Sequence, residues 1–481
     1  MPKKLYLGID IGTTSLKAAV FDNDGRRVAL RSVDYTLDSD PATGFIEFDA
    51  EKYADICFDV IASLTEECGS ITAMTVDTQG ETMILTDEAG NPLCPAVIWL
   101  DNRASEEADL IREHFGNRRV YEVTGQAEIS AGWPASKLMW YKRNRPETFS
   151  KVKRVFLLED WILYRLTGRF VTEPSIQSSS IYFDISEKKW WGEMLDFIGT
   201  DEGMLPSILP SGTPVGEYKG ITVVTGALDQ IAGSLGVGVT DSSRLSEMTG
   251  TALVVVAVTE SIPPYEEGSV IPCHIHAIDG KYCRLLWSST AGMCLKWFKN
   301  NLAGGASFKE LDAEAEKVAP GCDGMTMLPH FCGSVMPDYV PEARASFMGV
   351  TLAHTRGHFA RSIMEAVAFT LKQDLDHIGV PADAEIMITG GGASGTLWPQ
   401  IKADVTGRVL STVAESETAC LGCAIIAAAG TGEFSSIAEA ASRFVSAGKH
   451  FAPSGADYSE AYDRYNELNR EYLDSVRRSK K

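Results

Sequence analysis

Basic residues are in short supply. Across 481 residues, 44 Lys and Arg stand against 65 Asp and Glu, a formal charge of −21 that is spread along the chain and not gathered into a tail. Such a surface repels nucleic acid, so none is expected as a partner. A compact phosphate pocket stays open to it, because backbone N–H groups and a metal ion can hold phosphate locally in a negative molecule. Long apolar runs are missing too: "ALVVVAV" and "CLGCAIIAAAG" fall well short of the roughly 20 residues a membrane helix needs, so no membrane partner is expected. The ten cysteines have no framework spacing, and "MPKK" runs directly into a strand with no leader before it. These features predict reduced thiols in a soluble, cytoplasmic protein. At this length one core is not enough, and two domains with a cleft between them are expected.

What is present begins with "LYLGIDIGTTSLKAAVFD", residues 5–22. A strand ends in an aspartate, three small residues follow, and a second strand leads into Asn23-Asp24-Gly25, a hairpin signal. Gly12, Thr13 and Thr14 therefore sit in a turn between antiparallel strands. They do not form a P-loop, which would show Gly-Lys-Ser/Thr opening a helix. Further on, the pattern predicts a helix over about 50–67, a strand over 70–78, a short hairpin at Glu88–Asn91, and helices over 134–144 and 159–168. Alternation of this kind indicates an α/β domain. The Pro- and Gly-rich stretch 206–220 reads as surface loop. In the second half, "RLSEMTGTALVVVAV" repeats the strand and small-residue turn of the N-terminus. "HFARSIMEAVAFTLKQDLDHIG" and "ETACLGCAIIAAAG" read as helices, the latter able to pack against a backbone, and "IMITGGGASGTLWPQIKADVTG" reads as strand, glycine turn, helix. The tail is an amphipathic helix with Tyr462, Tyr465, Leu468 and Tyr472 on one side.

Several of these turns suit an anion. Gly12, Thr13 and Thr14 present N–H groups and hydroxyls to one point, and Asp10 nearby suits a hydrated Mg²⁺. Thr249, Gly250 and Thr251 repeat the arrangement, while Gly390, Gly391 and Gly392 let a ligand lie against bare backbone. Asp229, at a strand-to-helix junction, serves either as a helix cap or as acceptor of a hydroxyl proton, with Gln230 offering a donor and an acceptor beside it. Gln79, Glu81, Asp101, Asn102 and Arg103 follow strand-like runs, where clustered hydrogen-bonding groups suit a sugar; Trp99 and Trp133 supply stacking surface or core. "CHIH" at 273–276 and "CLGC" at 420–423 read as packing rather than metal or redox sites.

The order of these motifs resembles that of the FGGY family of carbohydrate kinases, from residue 5 to about 430. "DIGTTSLKAAVFD" and "MTGTALVVV" resemble its two phosphate motifs, "GALDQIAGSLGVG" the segment with the catalytic aspartate, and "ITGGGASGTLWPQIKADVTG" its adenosine motif. "VIWLDNRA" is similar to its N-domain strand motif, and "GWPASKLMWYKRN" and "ASFMGVTLAHTRGHFARSIMEA" to two signature stretches. The resemblance implies two actin-like, ribonuclease-H-like α/β domains with an interdomain cleft. Residues 1–243 would form the sugar and phosphate side and 244–481 the ATP side. It implies ATP and Mg²⁺ as cofactors, with Asp229 as general base and Asp10 at the metal. Gly12, Thr13, Thr14, Lys17, Thr249, Gly250 and Thr251 would lie along the phosphates, and Gly391, Gly392, Ala393 and Ser394 at the adenosine. Sugar contacts would come from Gln79, Gly80, Glu81, Asp101, Arg103, Trp133, Asp229 and Gln230.

Within the family the chain is most similar to xylulokinases, in length, in Lys17 and in "NPLCPAVIWLDNRA". Those enzymes usually carry Gln-Met-His-Gly where this chain has Gln79-Gly80-Glu81-Thr82; glycerol kinases carry Gln-Arg-Glu-Thr. The resemblance implies phosphorylation of a ketose, a pentulose such as xylulose first, with glycerol, a tetritol or an aldonate as alternatives. The implied partners are a small sugar or polyol and, at most, a second copy of the chain. A rival of another class is an actin-like ATPase that switches a binding surface. It would share the phosphate turns but needs an added peptide-binding module or filament insertions, and sugar-type segments occupy that space.

Overall fold

The computed structural model describes residues 4–336 and 338–479. They group into two compact units: Met1–Thr240, Val258–Cys283 and Glu417–Ser446 form the first, and Asp241–Ala257, Arg284–Ser416 and Ala447–Lys481 the second.

The first unit is built on a seven-stranded sheet. Its order is Pro214–Tyr218, Ile221–Val224, Ala73–Thr78, Leu5–Ile11, Ser15–Asp22, Arg27–Asp34, and the short strand Ala227–Leu228 also pairs with Ala73–Thr78. Leu5–Ile11 runs antiparallel to Ser15–Asp22 and parallel to Ala73–Thr78. Its residues alternate between two faces, as a strand requires. Leu7, Ile9 and Ile11 pack with Tyr53, Cys57, Ile61 and Leu64 of the helix Ala50–Cys68, which Asp49 caps. Tyr6, Gly8 and Asp10 face the other way, toward the helix Thr418–Gly430. A side chain at Gly8 would come within 1.8 Å of the Cys420 carbonyl oxygen. The small residues of that helix thus allow backbone to lie on backbone, as the sequence suggested.

The hairpin at Asn23–Gly25 forms as expected: Asp22 Oδ1 accepts from the N–H groups of Asp24 and Arg26, and Gly25 takes a left-handed φ of 73°. The stretch 206–220 is not all loop. Pro214–Tyr218 is the edge strand of the sheet, joined to Ile221–Val224 through Lys219 and Gly220, both at positive φ. Pro and Gly misled because an edge strand tolerates both, and the strand bulges between Pro214 and Gly216. A five-stranded sheet (Asp38–Ser39, Ile46–Phe48, Ala96–Val97, Met83–Thr86, Arg154–Leu157) completes the unit, with the helices Pro134–Asn144 and Leu158–Thr167 where the periodicity placed them.

The second unit repeats the central topology of the first. Arg244–Thr249 pairs antiparallel with Leu253–Thr259 and parallel with Glu385–Thr389, so the turn 250–252 occupies the place that 12–14 holds in the first unit. Leu410–Val413 and Ala447–Phe451 extend this sheet. The helix Arg356–Ile378 ends at left-handed Gly379, and Leu397–Thr406 at Gly407. The tail helix Ser459–Arg478 buries Ala461, Tyr465, Asn469 and Leu473, with Tyr462, Leu468 and Tyr472 half-buried beside them. This is an actin-like, ribonuclease-H-like α/β architecture. No helix among the described residues is long and apolar enough to cross a membrane.

Candidate active site

Three carboxylates meet at the ends of parallel strands in the first unit. Asp10 stands in register opposite Asp77, and Ala227 opposite Asp77 on the other side, so that Asp229 follows at the next step of the chain. Asp77 is fully buried; its Oδ2 accepts from Cys423 Sγ at 3.1 Å, and its carboxyl also hydrogen-bonds that of Asp10. Burial pushes its carboxyl well above the usual range, and the charges of Asp10 and Asp229 add to the rise. Asp10 is raised to about 6, chiefly by burial, against a hydrogen bond with Asp77 and the charge of Lys17. Asp229 is raised to about 7, first by burial and then by the Asp10 charge. A base near neutrality beside two further carboxylates is suited to accept a hydroxyl proton. The helix cap position itself falls on Leu228; Asp229 opens the helix Asp229–Gly236, and its Oδ1 accepts from Gln230 N–H at 2.6 Å.

The turn beyond Asp10 is held from behind. Gly12 N–H donates to Ser15 O at 3.0 Å, Tyr35 O–H donates to the Gly12 carbonyl, and Tyr35 N–H donates to Thr14 O at 2.9 Å. Trp99 Nε1 donates to Thr13 Oγ1 at 3.0 Å, while Thr14 is exposed. Lys17 lies across the strand pair from Asp10 and bonds Glu417 at 2.8 Å.

The residues expected at a sugar divide into two groups. Gln79 donates to Tyr53 Oη at 3.0 Å and leaves its carbonyl oxygen without a partner in the described structure. Glu81 adopts a left-handed φ of 57°, a strained conformation for a side chain of this size. Its carboxyl is raised by burial, opposed by a hydrogen bond from Ser179 and by the charge of Lys137. Glu81 also figures among the charges that raise Asp229, which places the two carboxylates in one neighbourhood. A side chain at Gly80 would reach Leu228 Cδ1 at 3.0 Å, so Leu228 would have to yield by a few tenths of an ångström to admit one. Trp133 donates through Nε1 to the Glu128 carbonyl at 2.8 Å.

Asp101 and Arg103 behave differently. Arg103 grips Asp101 through Nε and Nη2, both at 2.8 Å, and reaches Glu47 at 2.7 Å, while its guanidinium lies 3.8 Å from the Phe45 ring centre. With side-chain exposures of 0% for Asp101 and 2% for Arg103, the pair is an internal clamp on the strand Ile46–Phe48. Missed from the sequence was Lys137, fully buried on the helix Pro134–Asn144, whose Nζ donates to the carbonyls of Glu81 and Ile98 at 3.1 and 2.9 Å. The visible signal was a lysine on the apolar side of that helix.

In the second unit the two nucleotide-type motifs touch each other. A side chain at Gly390 would meet Thr249 O at 2.6 Å and one at Gly392 would meet Thr249 Cβ at 2.6 Å, whereas Gly391 and Gly250 face open space. Backbone is therefore open at Gly250 and Gly391, and Gly390 and Gly392 are packed against Thr249. Thr251 and Ser394 are exposed beside them, and Ser394 Oγ donates to Gly391 O at 2.8 Å. Thr249 is buried, and its hydroxyl is taken up by Lys402 at 2.6 Å and by Glu247.

A model of the N-terminal domain of the FGGY family of carbohydrate kinases matches residues 5–236, and one of that family's C-terminal domain matches residues 286–431. The xylulose kinase of Lactococcus lactis subsp. lactis is 28% identical over 457 residues, covering 91% of this chain and 90% of that protein. The gluconokinase of Bacillus subtilis is 26% identical over 457 residues, covering 89% and 88%. Among solved structures, the gluconate kinase from Lactobacillus acidophilus shares the fold over 99% of each chain, with a TM-score of 0.91 at 23% identity. With both family domains matched in order over most of its length, the chain belongs to the FGGY family of carbohydrate kinases and is a sugar kinase.

Proposed function

We propose that this enzyme transfers the γ-phosphoryl group of ATP to a hydroxyl of a ketose, a pentulose such as xylulose first. The observation that carries the reading is Asp229, raised to about 7 and placed one residue beyond a strand that pairs with the strand of Asp77. Asp229 takes the hydroxyl proton as the oxygen attacks phosphorus. Because such a transition state is loose, positioning counts for more than basicity. Gln79, Glu81, Gln230 and Trp133 would contact the sugar, and Asp101 with Arg103 would hold the scaffold. The first unit, with its segments Val258–Cys283 and Glu417–Ser446 added to the expected 1–243, would serve as the sugar and phosphate domain, and the second unit, the rest of 244–481, as the ATP domain. Gly250, Thr251, Gly391, Ala393 and Ser394 would line the nucleotide, with Thr14 and the turn 12–14 at the phosphates.

Asp10 fits Mg²⁺. Its carboxylate offers oxygen donors only, which suit a hydrated ion held by one carboxylate and the nucleotide phosphates. When bound, the ion would supply charge neutralisation at those phosphates. None of the ten cysteines is in a disulfide.

A neutral ketose is favoured over an aldonate because the acceptor side presents Glu81, Asp10, Asp77 and Asp229, while Lys137 already serves two carbonyls. An anionic substrate would meet four acidic groups, of which Glu81 faces the Lys137 charge and Asp10 that of Lys17. The test is ADP release with xylulose, other pentuloses, hexuloses, gluconate, glycerol and tetritols. A ketose should give the highest kcat/KM; gluconate as best substrate would overturn the substrate reading, and hydrolysis indifferent to every sugar would favour a nucleotide switch.

A further inference from the structure

The strand that leads to Asp229 is only two residues long, Ala227–Leu228, and pairs on one side only, with Asp77 and Thr78. In a strand, the N–H groups of residues i and i+2 point the same way. The N–H groups of Leu228 and of Gly226, which precedes the strand, point toward the side where no strand lies among the described residues. Both residues are buried, so water does not satisfy them. Two side chains do so instead. Glu159 Oε1 accepts from Gly226 N–H at 2.9 Å, and Ser175 Oγ accepts from Leu228 N–H at 3.0 Å. Gly226 is itself pressed onto the central strand, where a side chain would come within 1.9 Å of the Val76 carbonyl oxygen.

Ser175 is not free to turn. Its hydroxyl proton goes to Glu173 Oε1 at 2.6 Å, so an oxygen lone pair is left for Leu228. Glu173 is fixed in turn: Oε1 also accepts from Ile176 N–H at 2.5 Å, and Oε2 from Ser175 N–H at 2.7 Å and Ser211 Oγ at 2.9 Å. Four donors fill the four lone-pair directions of a carboxylate, which can only accept. An amide in its place would set an NH₂ group against one of those donors.

We propose that Ser175, oriented by Glu173, is a positioning residue for Asp229: it replaces the missing neighbouring strand and so fixes where the base emerges from the sheet. Neither residue touches substrate. The inference rests on Asp229 being the base, and the experiment separates the two. Ser175→Ala, Glu173→Gln, Ser211→Ala and Asp229→Asn are assayed in the full-length chain for kcat, KM of both substrates, sugar binding by calorimetry, and melting temperature. A base displaced by a fraction of an ångström to 1 Å should lower kcat by roughly 10- to 100-fold for Ser175→Ala and Glu173→Gln, with sugar affinity within about twofold. Ser211→Ala, which removes one of four donors from a half-buried side, should fold readily and lower kcat by about threefold; it decides the matter should the harsher variants not fold. Wild-type kcat in Ser211→Ala and Ser175→Ala, or a loss confined to melting temperature, overturns the inference while an inactive Asp229→Asn leaves the base in place. Full turnover in Asp229→Asn overturns both.

Discussion

Lys402 Nζ lies 2.6 Å from Thr249 Oγ1 and 3.0 Å from each carboxylate oxygen of Glu247, with side-chain exposures of 1% and 0% for the ion pair. Burial alone would push the lysine toward neutrality, and the Glu247 charge opposes it. The pair sits directly behind the turn 249–251. Removing one partner leaves an uncompensated buried charge, so Lys402→Met should cost about 3–5 kcal/mol in urea unfolding. Replacing both, in Lys402→Met with Glu247→Leu, should restore most of that stability. If the single and double variants unfold alike, the coupling is absent.

Asp229 should be destabilising as well as catalytic. Its value of about 7 in the fold stands above the ordinary 3.8 of an aspartate, so the folded chain holds the proton more tightly than the unfolded one. Its favourable contribution is therefore complete below about 3.8 and is lost as pH rises through about 7. At pH 8 Asp229→Asn should melt roughly 2–4 °C above wild type, with the gap narrowing below pH 7. Turnover should fall by about 10²- to 10⁴-fold in the same variant. Calorimetric scans across pH and a coupled assay check the two halves separately.

The same raised value sets the direction of the rate profile. A base must be unprotonated to accept, so kcat should rise with pH through about 7. Flat kcat from pH 5.5 to 8.5 would show that proton transfer to Asp229 does not limit turnover.

Two adjacent glycines should respond in opposite ways. Gly391→Ala projects into open space and should leave melting unchanged while weakening ADP binding by about tenfold or more. Gly392→Ala drives a methyl against Thr249 Cβ and should destabilise the fold by about 1–3 kcal/mol. ADP titration and melting curves of both variants distinguish ligand contact from packing.

Glu81 is expected to govern acceptor choice. Glu81→Gln should lower kcat/KM for a ketose by about tenfold and narrow the disadvantage of gluconate, since it removes one carboxylate from the acceptor side. An unchanged preference would remove Glu81 from substrate recognition.

Much of the site could be read directly from the chain because its parts are local. The turn at 12–14 follows its own strand, Asp229 stands at a strand-to-helix junction, and the triple glycine follows an apolar run, so spacing and residue type were enough. The edge strand Pro214–Tyr218 was hidden by residues that signal loops, because its pairing, not its composition, makes it a strand. Asp101 and Arg103 looked like open hydrogen-bonding groups, and only packing shows that they serve each other.

The amino-acid sequence by itself determined the family and the paired turns and pointed to Asp229 as the base proposed above, all of which depend on short-range pattern and backbone permissiveness. Tertiary structure alone decided which polar groups are available to a ligand. Lys402 meets Glu247 across 155 positions and Cys423 meets Asp77 across 346, and no local pattern records such pairings. A buried polar group must find a partner wherever the fold brings one, and that requirement separates Thr14, Gly250 and Gly391, which stay open, from Thr249 and Arg103, which do not.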